Sequence, residues 1–250
     1  MLDRAIEILE MFNEARRDVG VVEAAELLGA PKSTVSRRLA AMEAAGLLGR
    51  DPETLRYHLG VRLVTLGSLA RQATPLQRMA LPYLKSLTEA TGETSDLVVL
   101  MGREAVNVEA VESPRTMKHV GWAGRRIPLH ATAAGKSLLA WLPEDQVRSL
   151  LDLPLQSYTP NSIRSLEEFL AELAEVRRQG YSTSVGEFEE DLVGVAAPVQ
   201  DHVGRTVAAI TIGIPSGRAG DAAMPHLIRS TVNAAQDMSA KLGNRAARIP

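Results

Sequence analysis

The chain has no cysteine, no excess of either charge sign and no long apolar run. Without cysteine it can form no disulfide, thiolate nucleophile or Cys-based zinc site, so only Asp, Glu or His could hold a metal. Lys and Arg number 28 against 30 for Asp and Glu, so any signal for nucleic-acid binding must be local. No apolar run approaches the roughly 18 residues that span a bilayer, and the first residues do not resemble a signal peptide. These absences predict a cytoplasmic protein with no membrane partner.

Familiar catalytic signatures are absent as well. The sequence contains no G-x-S-x-G, S-x-x-K, H-E-x-x-H or G-x-G-x-x-G. Its five histidines are scattered, with no pair at the helical spacing of metal ligands: His58, His119, His130, His202 and His226. The lone Gly135-Lys136 pair is a weak signal for phosphate, and the acidic loop 187–191 is typical of a solvated surface. We therefore predict no catalytic residue, no metal site and no cofactor.

Composition and periodicity predict two domains and an α+β fold. With 45% hydrophobic and 23% charged residues, 250 residues suit two modest globular domains. The patterns of the first sixty residues predict helices at about 3–14, 22–28 and 32–45 and a hairpin over 47–59. Those of the second domain predict helices at 76–90, 128–142, 165–179 and 222–243, and strands at 94–101, 104–111, 181–185, 192–199 and 205–214. We assign residues 1–60 to the first domain, 61–75 to a linker helix and 76–250 to the second domain.

The third predicted helix carries a local basic face. Lys32, Arg37 and Arg38 give residues 32–38 a formal charge of +3 with no acid present, while Val35, Leu39 and Met42 form an apolar stripe behind them. Hydroxyls and cations near a helix N-terminus suit contacts with phosphates and base edges, and the hairpin would act as a wing. The candidate DNA-binding residues are Lys32, Ser33, Thr34, Ser36, Arg37, Arg38, Arg50 and Arg56. A three-helix bundle with a solvated basic face is the alternative that the pattern leaves open.

Two long segments, one in each domain, resemble a known family. Residues 3–67, which include AELLGAPKSTVSRRLAAMEAAGLLGRD and LRYHLGVRLVTLG, are similar to the winged helix-turn-helix of the IclR family of bacterial transcription regulators. GRRIPLHATAAGKSLLAWLP (Gly124–Pro143) and AAPVQDHVGRTVAAITIGIP (Ala196–Pro215) resemble its second domain. The resemblance implies a linker helix, a GAF-like α/β effector-binding domain, and homodimers or tetramers built as dimers of dimers. It also implies a small effector that shifts affinity for double-stranded, pseudo-palindromic operator DNA.

The strands near the C-terminus have one face of small residues. Alternation on 205–214 places Ala208, Ile210, Ile212 and Ile214 on one face and Val207, Ala209, Thr211 and Gly213 on the other. Gly194 and Ala196 share a face of the neighbouring strand, and Ser182 and Ser184 share one on the strand before it. Because glycine inside a strand often marks close approach by a ligand or backbone, this face predicts the floor of a cavity. Tight packing of a helix against it is the alternative.

Comparison with the family assigns places in that cavity. By resemblance, the effector-binding residues are Ala133, Ala134, Gly135, Ser184, Leu192, Gly194, Thr211 and Gly213. The sequence departs from the family's pattern, with Ser184 where an Asp is usual, Gly194 for a Cys, and Thr211 and Gly213 for two Ser. These departures predict a cavity larger and less polar than one suited to pyruvate, with the effector's carboxylate at the backbone amides near Ala133.

The prediction for function is a ligand-responsive DNA-binding regulator, not an enzyme. Its effector is expected to be a small organic acid, aromatic or branched, and its target a catabolic operon. The alternative is a small-molecule sensor whose first domain contacts proteins instead of DNA. Leu63, Leu66, Leu69 and Ala70 form the expected seam between subunits.

Overall fold

The computed structural model describes residues 2–13, 16–73, 75–121 and 123–244, and the chain divides into two compact units, Met1–Thr74 and Pro75–Pro250. The first unit has helices α1 (Leu2–Glu10), α2 (Val21–Leu27), α3 (Lys32–Ala44) and α4 (Val61–Ala73). Its strands β1 (Asp18–Val19), β2 (Leu48–Arg50) and β3 (Tyr57–Leu59) form an antiparallel sheet in the order β1-β3-β2. The predicted winged helix-turn-helix is confirmed, and β1 is an addition that no sequence pattern indicated.

Local chemistry sets the ends of these helices. Gly29 and Gly46 follow α2 and α3 with φ of +57° and +72°, the left-handed conformation that ends a helix and that glycine adopts at little cost. The first helix is shorter than predicted and ends at Glu10, before Asn13, whose side chain accepts a hydrogen bond from the Arg16 amide (2.9 Å). The buried core comprises Ile8, Met11, Val19, Ala24, Ala25, Val35, Leu39, Met42, Leu48 and Tyr57. The predicted inward stripe of α3 therefore docks the helix.

The second unit is built on a six-stranded antiparallel sheet in the order β6-β5-β4-β9-β8-β7. Its strands are β4 (Thr94–Met101), β5 (Glu104–Val111), β6 (Arg126–Ile127), β7 (Ser182–Val185), β8 (Leu192–Gln200) and β9 (Thr206–Pro215). Its helices are α5 (Pro75–Thr91), α6 (Ala133–Leu139), α7 (Glu144–Leu150), α8 (Leu166–Gln179) and α9 (Met224–Lys241). A short 3-10 helix covers Ser216–Arg218. The α+β class is confirmed.

The sheet has a different core on each face. The bulky face of β9, with Ile210 among its buried residues, packs against α5 and α9 through Leu84 and Met238. The small-residue face carries Ala209 and packs with Phe169 of α8 in a second core that includes most of α6. The predicted alternation of β9 is therefore correct. No helix in the described ranges is long and apolar enough to cross a membrane.

One predicted helix is wrong in extent. Helix α6 begins at Ala133 instead of residue 128, because the Thr132 hydroxyl accepts a hydrogen bond from the Gly135 amide (3.2 Å) and caps the helix there. A further helix, α7, follows Pro143 and was not predicted. In α8 the predicted ends are confirmed, since Ser165 caps its start and Gly180, with φ of +80°, ends it.

Candidate functional site

The exposed face of α3 carries the basic residues that the sequence indicated. Lys32, Ser33 and Arg37 are exposed, and Arg38 is half-buried, as are Thr34 and Ser36. In the described ranges no ion pair engages Lys32, Arg37 or Arg38. The charge of this face is thus available to an anionic partner.

The start of α3 adds uncapped backbone donors to that face. Its N-cap is Pro31, which makes no side-chain cap, and the first turn contains no acid. The amides of Thr34 and Val35 both donate to the Pro31 carbonyl (2.9 and 3.1 Å), so the amides of Lys32 and Ser33 are the ones that stand at the exposed end. Amides at a helix N-terminus attract phosphate.

The two arginines of the hairpin have different surroundings. Arg50 donates from Nε to the Leu55 carbonyl (3.1 Å), and its guanidinium lies 5.3 Å from the centre of the Tyr57 ring, at the exposed base of the turn. Arg56 donates to the carboxylates of Asp18 and Glu23, and these hydrogen bonds raise the pKa of its guanidinium. Arg56 therefore joins the hairpin to β1 and α2, an internal role that the sequence interpretation did not assign to it.

In the second unit a cavity lies between the small-residue face of the sheet and α6. Its floor follows the strand register, because Ser184 lies opposite Gly194, Gly194 opposite Gly213, and Thr211 opposite Asp96. The predicted residues that line it are Ala133, Ala134, Ser184, Leu192, Gly194, Thr211 and Gly213. Their part in binding an effector stays a prediction, but the structure brings these seven together.

Gly135 is not among the lining residues. A side chain there would meet the Leu129 carbonyl oxygen at 2.2 Å, so this glycine allows α6 to pack closely on the preceding backbone. Its amide is also occupied by the Thr132 cap. Neither the Ala133 nor the Ala134 amide donates to a backbone or side-chain acceptor in the described part of the chain.

The cavity also contains polar side chains that sequence reasoning missed. They are Asp96, Asn107, His119, Arg125, Thr132 and Glu189. Asp96 and Asn107 come from β4 and β5, and both are almost completely buried, at 3% and 5% exposed. A lone carboxylate in the apolar strand TSDLVVLM was the available signal. The cavity therefore has charged and polar side chains that the prediction of a less polar cavity did not include, and that comparison with the family's usual cavity stays a prediction.

A roof over the floor keeps the cavity small. This roof is the connection between β5 and β6, residues 112–125 with 122 outside the described part, and the Thr94 hydroxyl donates to its His119 carbonyl (2.6 Å). A Cβ on Gly213 would lie 2.4 Å from the His119 ring, and one on Gly121 would lie 2.0 Å from Asp96 Oδ1. The volume that Gly213 leaves free is thus occupied by His119. The cavity measures about 70 Å³.

Burial controls the protonation of the floor and roof. Desolvation raises the pKa of Asp96 from 3.8 to about 7, although the hydrogen bond from Asn107 and the charge of Arg125 oppose the rise. Burial also lowers the pKa of His119, and Arg125 lowers it further. Arg125 itself donates to Glu189 (2.6 Å) beside the Phe188 ring. Among the described residues no cluster of three possible metal ligands occurs.

Lys136 anchors the loop that forms one wall of the cavity. It is 1% exposed, and its Nζ donates to Glu187 (2.7 Å), the Thr183 carbonyl (3.0 Å) and Glu172 (3.1 Å). Glu187 immediately precedes Phe188 and Glu189, which line the cavity. The Gly-Lys pair that looked like a weak phosphate signal is therefore an internal support.

A winged helix with an unpaired basic face, on the same chain as a unit that encloses a polar cavity, defines the class of DNA-binding regulators with a separate ligand-binding domain. Residues 1–52 match the "IclR helix-turn-helix domain", and residues 69–240 match "Bacterial transcriptional regulator IclR C-terminal". The chain belongs to the IclR family of bacterial transcriptional regulators.

Individual relatives agree over nearly the whole length. The HTH-type transcriptional regulator XynR of Escherichia coli is 33% identical over 97% of this chain and 96% of its own. An IclR transcriptional regulator from Alicyclobacillus acidocaldarius superposes with a TM-score of 0.84 at 28% identity, covering 96% of both chains. An IclR homologue from Microbacterium hydrocarbonoxydans, solved in complex with 4-hydroxybenzoate, has a TM-score of 0.81 at 26% identity and covers 96% of this chain and 98% of that one.

Proposed function

We propose that this protein is a ligand-responsive regulator that binds a pseudo-palindromic operator as a dimer. Binding of an organic acid in the second unit would raise or lower the affinity of the dimer for that operator. The observation that carries the proposal is a cavity lined by apolar and charged side chains on the same chain as the unpaired basic face of α3. Because its target is chromosomal DNA, we place the protein in the cytoplasm, and we infer that the cavity serves binding and not turnover.

In the proposed complex α3 lies in the major groove. Arg37 is exposed within the first two turns, where a guanidinium can reach a guanine edge. Lys32 stands at the helix start beside the uncapped amides, where it can contact a phosphate. Arg50, at the base of the wing, would contact the backbone nearby. Arg56 would contribute by holding the wing in place.

Dimerisation is proposed through α4. Its first two turns expose Val61 and Val64, at 79% and 71%, and Leu66 at 48%, which is unusual for apolar side chains unless a partner covers them. Leu63 is half-buried, and the side chains of Leu69 and Ala70 lie outside the described part of the structure. A two-fold pair of α3 helices would read half-sites about one helical turn, or a multiple, apart. Pairing of dimers would give a tetramer.

For the effector we propose a small organic acid of the aromatic or branched class, as expected for a regulator of a catabolic operon. Its carboxylate would lie near the Ala133 and Ala134 amides and Arg125, with Leu192 and Val98 as apolar walls. A cavity of about 70 Å³ suits an acid the size of pyruvate, so an aromatic ring needs the His119 roof to move away. The 4-hydroxybenzoate bound to the Microbacterium relative supports the larger class.

A gel-shift titration of the DNA upstream of its own gene tests the regulatory part. Arg37→Ala should weaken operator binding by about 1–3 kcal/mol and relax sequence preference at one position. Lys32→Ala should weaken all DNA about equally and reduce the salt slope by about one charge. Unchanged operator binding by Arg37→Ala would contradict this placement of α3, and binding by a monomer at full affinity would contradict the dimer.

Calorimetry with acids of increasing size tests the effector class. We expect wild type to prefer acids of benzoate size to pyruvate, and Gly194→Leu to abolish binding of the larger acid, since a Cβ there already meets Ser184 Oγ at 2.7 Å and Ala133 Cβ at 3.2 Å. Gly217→Leu is the control, because nothing lies within 4 Å of a side chain at that position. Tighter binding of pyruvate would limit the effector to small acids.

A further inference from the structure

One buried acceptor in the cavity has no donor. The Asn107 side chain is 95% buried, and its Oδ1 makes no hydrogen bond with any described residue, although the atom is shielded from the surface. Leaving such an acceptor unpaired is costly, so a buried amide oxygen that lines a cavity points to a donor supplied by whatever occupies the cavity.

The other polar atoms of Asn107 are already paired. Its Nδ2 donates to Asp96 Oδ1 (2.6 Å), so the amide nitrogen faces the Asp96 carboxyl. Its backbone amide donates to the Arg125 carbonyl (2.9 Å), and its backbone carbonyl accepts from the Gly124 amide (2.6 Å). Three hydrogen bonds therefore fix the residue and direct the remaining oxygen away from Asp96.

The charges around the cavity limit the chemistry of the missing donor. Arg125 lines the same cavity, where it donates to Glu189 (2.6 Å), so a ligand's carboxylate has a cationic partner there. A ligand's ammonium would meet the charge of Arg125 as well as the carboxyl groups of Asp96 and Glu189. A neutral O–H can pair with the Asn107 oxygen without adding a charge, and the comparison of lactate with alanine separates the two groups. The Asp96 carboxyl, which is hydrogen-bonded to Asn107, offers a second polar atom to the same ligand group.

From this geometry we propose that Asn107 Oδ1 and the Asp96 carboxyl form a subsite for a hydroxyl group, so that the effector is a hydroxy acid. The proposal rests on the proposed function, since it specifies the acid that the cavity takes. A hydroxyl donates to Asn107 and can accept from or donate to Asp96 according to the protonation of that carboxyl, whose pKa of about 7 allows either. An acid without the hydroxyl leaves the buried oxygen unpaired, and this lowers its affinity even when its size fits the cavity.

The experiment measures binding of matched acids to the full-length protein by calorimetry. Propionate, lactate and alanine share one skeleton and differ in carrying hydrogen, a hydroxyl or an ammonium group, and benzoate with 4-hydroxybenzoate forms an aromatic pair. In each pair that binds, we expect the hydroxy acid to bind at least about tenfold tighter to wild type. Asn107→Leu should reduce that ratio to about one, whereas Asn233→Leu, on the exposed side of α9, should leave it unchanged.

The outcomes separate this proposal from the proposed function. Equal binding of hydroxy and plain acids, a hydroxyl preference that survives Asn107→Leu, or tighter binding of alanine than lactate would each overturn the subsite and leave acid binding intact. Absence of binding by any acid would overturn both the organic-acid effector and the subsite, while operator binding stands on its own gel-shift test. The wild-type ratio needs no variant, so the result holds even if Asn107→Leu does not fold.

Discussion

Replacing Asp96 by Asn should stabilise the second unit, and more so as the pH rises. Burial raises the pKa of Asp96 from 3.8 to about 7, so the folded state holds the proton more tightly than the unfolded chain does. The stability that this proton contributes is complete below pH 4 and is lost as the pH rises to 7. A difference of about three pH units at about 1.4 kcal/mol each gives roughly 4 kcal/mol, of which about 3 kcal/mol develops between pH 5 and 8. Asn is neutral throughout and can still accept the hydrogen bond from Asn107.

The assay is urea denaturation of wild type and Asp96→Asn at several pH values from 5 to 8. Tryptophan fluorescence reports on the second unit, since Trp122 and Trp141 both belong to Pro75–Pro250. The stability difference between variant and wild type should grow by about 3 kcal/mol over that range. Parallel curves would refute the reasoning, because they would mean that Asp96 stays ionised in the fold at no cost.

Asp201→Asn provides a control of opposite sign. Partial burial alone would raise the pKa of Asp201, but hydrogen bonds from Arg205 and from the Val203 amide outweigh it and lower the pKa. The stability that this carboxylate contributes is present above pH 3.8 and is lost as the pH falls through its lowered pKa. Asp201→Asn should therefore destabilise the protein throughout the range from pH 5 to 8, with no growth in the difference as the pH rises.

Three further substitutions test other contacts. Lys136→Met should cost about 3–5 kcal/mol in urea denaturation, because it leaves Glu187 buried and unpaired, and adding Glu187→Gln should recover much of the loss. Gly213→Ala should destabilise the second unit by about 1–3 kcal/mol, since its Cβ would displace His119, and an unchanged melting temperature would show that the roof moves freely. Arg56→Ala should lower the melting temperature of the first unit together with DNA affinity, whereas a loss of DNA affinity alone would identify a direct contact.

The fold was predictable wherever a pattern repeats along the chain. The bounds of β4 and β5 match the predicted runs residue for residue, and those of α8 differ by one, because alternation, a serine cap and a terminal glycine are local signals. The two-residue strands β1 and β6 were missed since neither is long enough to show a period. Helix α7 was missed because its seven residues are too few to show a clear helical period.

The floor of the cavity was predictable and its roof was not. Gly194, Gly213 and Thr211 share a face by alternation alone, so their meeting follows once the strands pair. His119 and Arg125 come from an irregular connection whose path depends on contacts such as the one from Thr94 to the His119 carbonyl. No periodicity of the sequence predicts that path. The extra cavity volume expected beside Gly213 is absent because the His119 side chain from this connection fills the space.

The floor and the roof of the cavity differ in how readily their residues can be changed, and this affects how such a cavity can acquire a new ligand. The floor is shared with the central core of the sheet, so a larger side chain there must displace packed neighbours on both strands. The roof belongs to a surface connection, where exchanges and insertions are tolerated far more readily. A library confined to residues 112–121, with His119 varied first, is thus the direct route to changing which ligand the cavity accepts while the rest of the second unit is left unchanged.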